Sequence, residues 1–313
     1  MKRAEMLDAT ESILKRASFR VSERCVARPS CFDFAARREE QLAFVKVPTD
    51  VGNVSAKDSW ELQKISGCFS AVPLFIGDRT RRKPLEDDTV YMRYNVYTIT
   101  PKTLEDMVFR EMYPLVEAGP GGYYVNIDGN IIRERRQELG LSVGKLAEMI
   151  GISRRTLYGY ERSMAKGSVS VAYNLEWVLG VPVVQPFNVF QRAPPSTGFF
   201  ATARHMIIRN RFLQMVLRGF AKFNVMVAPT RRAPFDFIAH CSEERLNIIG
   251  AVADERDQNI DKRTEEIISI SRVMEAHSVF ITDGEQIPSN NIPLIHHEEL
   301  AKMKCPEELI ARL

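Results

Sequence analysis

The chain has 313 residues, room for two or three domains, and 45% apolar with 27% charged residues is ordinary for a soluble globular protein. It contains no run of ~18 apolar residues, so no membrane span is expected; the charged start MKRAEMLDATESILKR lacks a signal-peptide core, so a cytoplasmic location is expected. With 43 Lys and Arg against 40 Asp and Glu the net balance is only +3, and what matters is where that excess sits.

The first region contains FRVSERCVARPSCFDFAARREEQLAFVKV (residues 19–47). It reads as a Phe-led strand, a Pro-containing turn, Phe-Asp-Phe-x-Ala, Glu39-Glu40 and an apolar strand. A helix follows around Trp60–Ile65, then a short apolar strand from Pro73 to Asp78, and later an acidic-rich helix start, Thr103 to Met107. Arg79, Arg81, Arg82 and Lys83 sit in a hairpin loop that Glu86-Asp87-Asp88 partly neutralises. A solvated loop is the expectation there, with auxiliary phosphate contacts the alternative. The five cysteines are Cys25, Cys31, Cys68, Cys241 and Cys305; none forms a Cys-x-x-Cys pair and no His clusters with them, so no metal site is expected. Cys25 and Cys31 flank the VARPS turn and could face each other, although reduced thiols are the default in a cytosol.

The stretch GPGGYYVNIDG (119–129) alternates Tyr124, Asn126 and Asp128 with Val125 and Ile127, which predicts a short strand or wing. Four helices follow. The first runs from about Asn130 to Leu139, with Ile131, Ile132, Arg135 and Leu139 on one face, and ends at Gly140. Ser142 caps the second, which turns Leu146, Ala147 and Ile150 inward. Gly151 makes a tight turn, Ile152 plugs it, and Ser153 caps the third. On that helix Leu157 and Tyr160 face inward, leaving Arg154, Arg155, Tyr158 and Gly159 outward, with Thr156 on the first turn. Ser170 caps the fourth, whose inward face carries Tyr173 or Asn174, Leu175, Val178 and Leu179, ending at Gly180. Residues 129–180 hold eight Lys or Arg and five Glu, a balance of +3; the remainder, 35 against 35, is neutral. The whole basic excess therefore lies in this helical segment. Beyond it VPVVQPFNVFQRAPPSTG (181–198) is Pro-rich and extended.

The last region contains FNVMVAPTRRAPFDFIAHCSEERLNIIGAV (223–252) and repeats the landmarks of the first in the same order. Its helix is expected at Glu265–Met274, its short strand at Val279–Asp283 and its closing helix start at Glu299–Met303; Arg231 and Arg232 lie in its strand turn. Each copy thus reads α-β-β-β-α-β.

The central segment resembles the lambda-repressor-like (Xre-type) helix-turn-helix. The resemblance rests on Arg136, Leu139-Gly140-Leu141-Ser142, Leu146-Ala147, Gly151-Ile152-Ser153, Thr156-Leu157, Tyr160-Glu161-Arg162 and Leu179-Gly180-Val181. It implies a structural ion pair between Arg136 and Glu161. It also implies base contacts from Arg154 and Arg155, with Thr156, Tyr158 and Gly159 nearby. Arginine suits the two acceptors of guanine, a good pair being worth roughly 1–3 kcal/mol of discrimination. Ser142 and Ser153, with the free amides of two helix N-termini, suit phosphate oxygens. Two departures stand out: Val143 replaces a polar residue at the start of the second helix, and Ser163-Met164-Ala165-Lys166-Gly167 replaces the usual short turn.

The repeated αβ unit resembles the restriction-endonuclease-like, PD-(D/E)xK, fold. The second-strand Asp matches Asp33 and Asp236; the third strand reads Phe44-Val45-Lys46 in one copy and Ile248-Ile249-Gly250 in the other, so neither has acid-x-Lys. A single carboxylate is a poor site for metal-dependent hydrolysis. Glu39 and Glu40 could substitute in principle; otherwise both Asp residues are buried acids satisfied by backbone donors or an Arg. GGYYVNIDG together with SRRTLYGYER resembles a family of archaeal helix-turn-helix transcriptional regulators.

The expectation is therefore an α+β protein: an αβ domain at 1–110, a linker with a short strand at 111–128, the DNA-binding domain at 129–190, a Pro-rich linker at 191–202 and a related αβ domain at 203–313. It binds double-stranded DNA as a homodimer, since two half-sites about one helical turn apart add affinity and specificity. No catalysis, cofactor, metal or membrane partner is expected; an effector is left open. The rivals are a metal-dependent nuclease using Asp33 and Lys46, and a protein-interaction module that binds no DNA.

Overall fold

The computed structural model describes residues 2–81, 83–191, 210–221, 226–241, 246–252, 259–284, 288, 292–303, 308 and 311–312. Arg82, Cys305 and all but the first residue of the linker expected at 191–202 lie outside the described residues. The chain divides into two compact units: residues 2–49, 53–75 and 190–313 form one, and 50–52 with 76–189 form the other.

The first copy opens with α1 (Arg3–Arg16) and continues through β1 (Arg20–Val21), β2 (Phe34–Arg38), β3 (Gln41–Lys46), α2 (Ala56–Cys68) and β4 (Val72–Ile76). Strands β1, β2 and β3 are successive antiparallel neighbours, and β4 lies parallel to β3. That last step is what a helical crossover produces, and α2 supplies it, capped by Ser55. Phe34, Phe44, Leu62, Ile65 and Leu74 are buried and hold helix to sheet.

Next come β5 (Arg79–Thr80), β6 (Lys83–Pro84), β7 (Thr89–Arg93), β8 (Val96–Ile99) and α3 (Pro101–Arg110). The basic stretch is a β5–β6 hairpin, as its sequence suggests. Residues 76–110 share a compact unit with the helical segment. The reason is pairing, because β7 runs parallel to β9 (Val116–Gly119), which turns back into β10 (Gly122–Ile127). The wing predicted near 119–129 is this β9–β10 hairpin. Then follow α4 (Gly129–Glu138), α5 (Val143–Ile150), α6 (Arg154–Glu161), β11 (Gly167–Ser168), α7 (Val169–Leu179) and β12 (Val184–Gln185). Both β11 and β12 pair with β10, so the helices grow out of a sheet.

The second copy comprises α8 (Arg211–Ala221), β13 (Met226–Pro229), β14 (Phe237–Cys241), β15 (Leu246–Val252), α9 (Ile260–Met274), β16 (His277–Thr282), β17 (Leu294–His296) and α10 (His297–Lys302). The order α-β-β-β-α-β holds in both copies. β15 and β16 pair in parallel around α9, as β3 and β4 do around α2. Phe220, Phe237, Ile248, Val279 and Ile281 form its core. One register is corrected. The amide of Asp33 donates to Val45 O, and that of Asp236 donates to Gly250 O. Phe44-Val45-Lys46 therefore corresponds to Ile249-Gly250-Ala251, one residue later than the sequence alignment. Gly250 is needed because Phe237 packs across it: a Cβ there would lie 1.9 Å from the ring.

The two copies pack on each other by exchanging carboxylates. Glu61 of α2 accepts the Arg231 amide at 2.8 Å, while Glu266 of α9 accepts the Val26 and Ala27 amides, each at 2.8 Å. Each buried acid caps the strand turn of the other copy, so the αβ pair carries an internal pseudo-two-fold. Cys31 N donates to Arg232 O across the same seam, and Cys25 and Cys31 are free thiols, not bonded to each other. Burial pushes both thiols up. Among the described residues no helix is long and apolar enough to cross a membrane.

Candidate nucleic-acid interface

The helical segment is built on one apolar cluster that joins Val125 and Ile127 of the wing to Ile132, Leu146, Ala147, Ile150, Leu157, Tyr160, Leu175 and Leu179. Each helix starts on a side-chain cap: Asp128 for α4, Ser142 for α5, Ser153 for α6 and Ser168 for α7. Ser168, not Ser170, caps α7, because β11 brings the chain in two residues earlier. The inner faces also differ from expectation. On α4, Ile132 and Arg136 point inward while Ile131 and Leu139 are exposed. On α7, Ala172 takes the buried place given to Tyr173 or Asn174, and Tyr173 stacks on Trp177 in the open. Both helices keep the 3.6-residue period, and its phase follows from packing: α4 lies against α6 and α7, and α7 also against the wing.

Gly151, at φ 75°, makes the turn between α5 and α6. Ser153 Oγ accepts the Thr156 amide at 3.0 Å and meets Thr156 Oγ1 at 2.8 Å; Ser142 Oγ accepts the Lys145 amide at 3.1 Å. Arg136 forks onto Glu161 at 2.5 and 3.2 Å and donates to Leu141 O at 2.8 Å. One buried guanidinium therefore ties α4, the turn before α5, and the end of α6. Both members are satisfied structural groups, as expected of this pair.

Arg154, Arg155, Thr156 and Tyr158 are exposed and Gly159 is half-buried, so the outer face of α6 carries the residues expected there. Neither Arg154 nor Arg155 makes an ion pair among the described residues. Ser142 and Ser153 are exposed beside them at the two helix starts. The wall of this face includes two features that sequence reading missed. Gly144 on α5 lies under Arg154: a Cβ there would sit 2.7 Å from Arg154 Nε. Arg162 stacks over the Tyr158 ring at 4.4 Å. Gly144 is a costly residue inside a helix, and that cost was the available signal. Gly129 is similar: a Cβ there would lie 2.3 Å from Tyr160 O, so α4 starts directly against α6. The unusual 163–167 loop turns at Ser163, φ 54°, and ends in β11 on the wing.

The αβ copies offer the other candidate site, and a hydrolytic metal does not fit it. Asp33 Oδ1 accepts Arg3 Nη2 at 2.8 Å and Lys46 Nζ at 3.0 Å, and Oδ2 accepts the Val47 amide at 2.7 Å. Both cations are spent on this carboxylate, and Phe44 stands two residues before Lys46, where acid-x-Lys has its acid. Glu39 and Glu40 cannot substitute: they sit at the far end of the β2–β3 hairpin, roughly 17–20 Å along the strands. Asp236 is held by Arg28 at 2.9 Å, Arg263 at 2.6 Å and the Val252 amide at 2.8 Å. Among the described residues no group of three or more His, Cys, Asp or Glu could hold a metal ion.

In the comparison with known proteins the αβ match runs through residue 114, close to the boundary expected at 110. Residues 3–114 match the PD-(D/E)XK superfamily domain and residues 132–185 match a helix-turn-helix family. Relatives bearing the name "Putative HTH-type transcriptional regulatory protein" occur in archaea. That of Methanosarcina acetivorans is 32% identical over 95% of this chain and 92% of its own. That of Methanocaldococcus jannaschii is 34% identical over 91% and 88%, and that of Pyrococcus horikoshii 30% over 99% and 97%. No solved structure matches the chain.

Proposed function

The chain belongs to this family of archaeal HTH-type transcriptional regulatory proteins, and we propose that it reads a specific double-stranded DNA sequence with α6, as a homodimer, and regulates by occupying promoters. The observation that carries this reading is the contrast between its arginines. Arg136 is buried and spent on Glu161, whereas Arg154 and Arg155 stand exposed at the capped start of α6. Their forks suit the O6 and N7 of guanine, while the α5 and α6 N-termini, with Ser142 and Ser153, suit flanking phosphates. One unit of this size makes few contacts, and pairing two supplies the missing affinity. The αβ pair acts as a non-catalytic scaffold, a role supported by the cations around Asp33 and Asp236.

Selection from a random duplex pool by the wild type, beside Arg154→Ala/Arg155→Ala, tests the reading. The expected result is a palindromic consensus enriched only by the wild type, with affinity falling steeply as salt rises. Enrichment of a non-palindromic site overturns the homodimer, and no enrichment overturns the DNA reader. Gly144→Ala should shift base preference at the position Arg154 reads while binding persists. Plasmid incubated with magnesium or manganese should stay intact; cleavage lost in Asp33→Ala would overturn the scaffold role.

A further inference from the structure

Where the two αβ copies meet, the outer face of α2 and the β13–β14 turn enclose a cavity of about 720 Å³, within the range of small-molecule sites. Its walls are largely apolar, with Trp60, Leu213 and Pro229 among them. Among the described residues its charges are one-sided: Lys57, Lys64, Arg231 and Arg232 line it against Glu61. Glu61 is already spent on the Arg231 amide, and Arg232 is paired with Asp58 at 2.5 Å. Lys57 and Arg231 are exposed and make no ion pair among the described residues. Lys64 is 3% exposed, donates to Pro229 O, and lies 5.8 Å from the centre of the Trp60 ring. Burial pulls its ammonium below the ordinary lysine value, with nearby Glu61 offsetting part of that. A buried cation, two uncommitted cations and a half-exposed indole thus converge on one apolar cavity. The scaffold's own packing does not require this: α9 has Glu265 and Ser269 where α2 has Trp60 and Lys64, if the two capping acids, Glu266 and Glu61, are aligned.

We propose that this cavity is a binding site for a small aromatic anion, its ring against Trp60 and its charge among Lys57, Lys64 and Arg231. An aromatic face gains from indole stacking, and an anion gains more in this walled site than at an open surface, because fewer waters screen it. The site lies wholly in the αβ unit, so its occupancy is independent of whether α6 reads DNA.

Trp60 and Trp177 are the chain's two tryptophans, and Trp177 is exposed on α7, so the full-length Trp177→Phe protein leaves Trp60 as the only indole reporter. The probe is 8-anilinonaphthalene-1-sulfonate, with its uncharged counterpart N-phenyl-1-naphthylamine. The expected result is saturable quenching of Trp60 emission at one sulfonate per chain. Kd should rise at least ~10-fold for the uncharged probe and at least ~10-fold for the sulfonate in Lys57→Ala/Arg231→Ala, a difference of about 1.4 kcal/mol each. Both replaced residues are exposed, and unchanged circular dichroism of the double variant checks the fold. Absence of saturable quenching overturns the site. Equal affinity for the two probes, or for the double variant and its parent, overturns the anion selectivity and with it the proposal.

Discussion

The two αβ copies keep the same aspartate and surround it differently. In both, the carboxylate accepts the amide two residues beyond the strand residue that receives its own N–H: Val47 for Asp33 and Val252 for Asp236. In the first copy the cations are Arg3 and Lys46, drawn from α1 and β3 of the same copy. In the second they are Arg263 of its own α9 and Arg28 of the other copy. Arg3 is 41% exposed, while the Arg263 side chain is 1% exposed. The shared element is thus a backbone requirement at the end of β3 and β15. The cations differ because only the second aspartate lies where a buried helix arginine and the neighbouring copy both reach it.

Removing each carboxylate breaks the comparison most sharply. Asp236→Ala strands a buried guanidinium and should cost about 3–5 kcal/mol, read as a lowered midpoint in denaturant. Asp33→Ala should cost less, about 1–2 kcal/mol, because Arg3 can turn to water and Lys46 keeps Ser30 O, which leaves the Val47 amide as the group without a partner. Lys46→Met should change stability by less than about 1 kcal/mol, since Arg3 still balances Asp33. A mutation series in which the two aspartates cost the same would show that exposure of the partner does not decide the matter.

The seam supplies the smallest and most specific test. Glu266 is pushed above the ordinary carboxylate range by burial, with the Val26 and Ala27 amides opposing, and its second oxygen has no hydrogen-bond partner among the described residues. A raised folded value means the folded state holds the proton more tightly. Glu266's contribution is therefore full below the ordinary value of 4.5 and lost as pH rises through the folded value. Melting temperature measured across that range should fall with rising pH more in the wild type than in Glu266→Gln. Parallel curves would mean that Glu266 titrates as it does unfolded.

Much of this was legible along the chain. The order of elements in both copies followed from the repeated Phe-Asp-Phe landmarks, since alternation and turn chemistry are local properties. The helices of the reader announced themselves through Ser142, Gly151 and Ser153, each acting within one turn of where it stands. Arg136 and Glu161 were paired by family resemblance and meet as expected. What failed was phase and partnership. Ile131 and Ile132 are equal candidates for the inner face of α4 by composition, and only packing against the rest of the domain, α6 and α7 foremost, decides between them. The Ile248-Ile249-Gly250 alignment missed by one residue because a run of apolar residues carries no internal register.

By itself, then, the amino-acid sequence determined the reader's helices, its capped α6 with Arg154 and Arg155 outward, and the existence of two αβ copies lacking acid-x-Lys. All of these depend on residues a few positions apart. Tertiary structure alone decided that the copies exchange Glu61 and Glu266, that β7 and β8 join the wing's sheet, and that Arg154 lies over Gly144. Those contacts join segments up to 240 residues apart, where no local periodicity or propensity distinguishes one partner from another and only complementary shape and charge at the meeting surface make the choice.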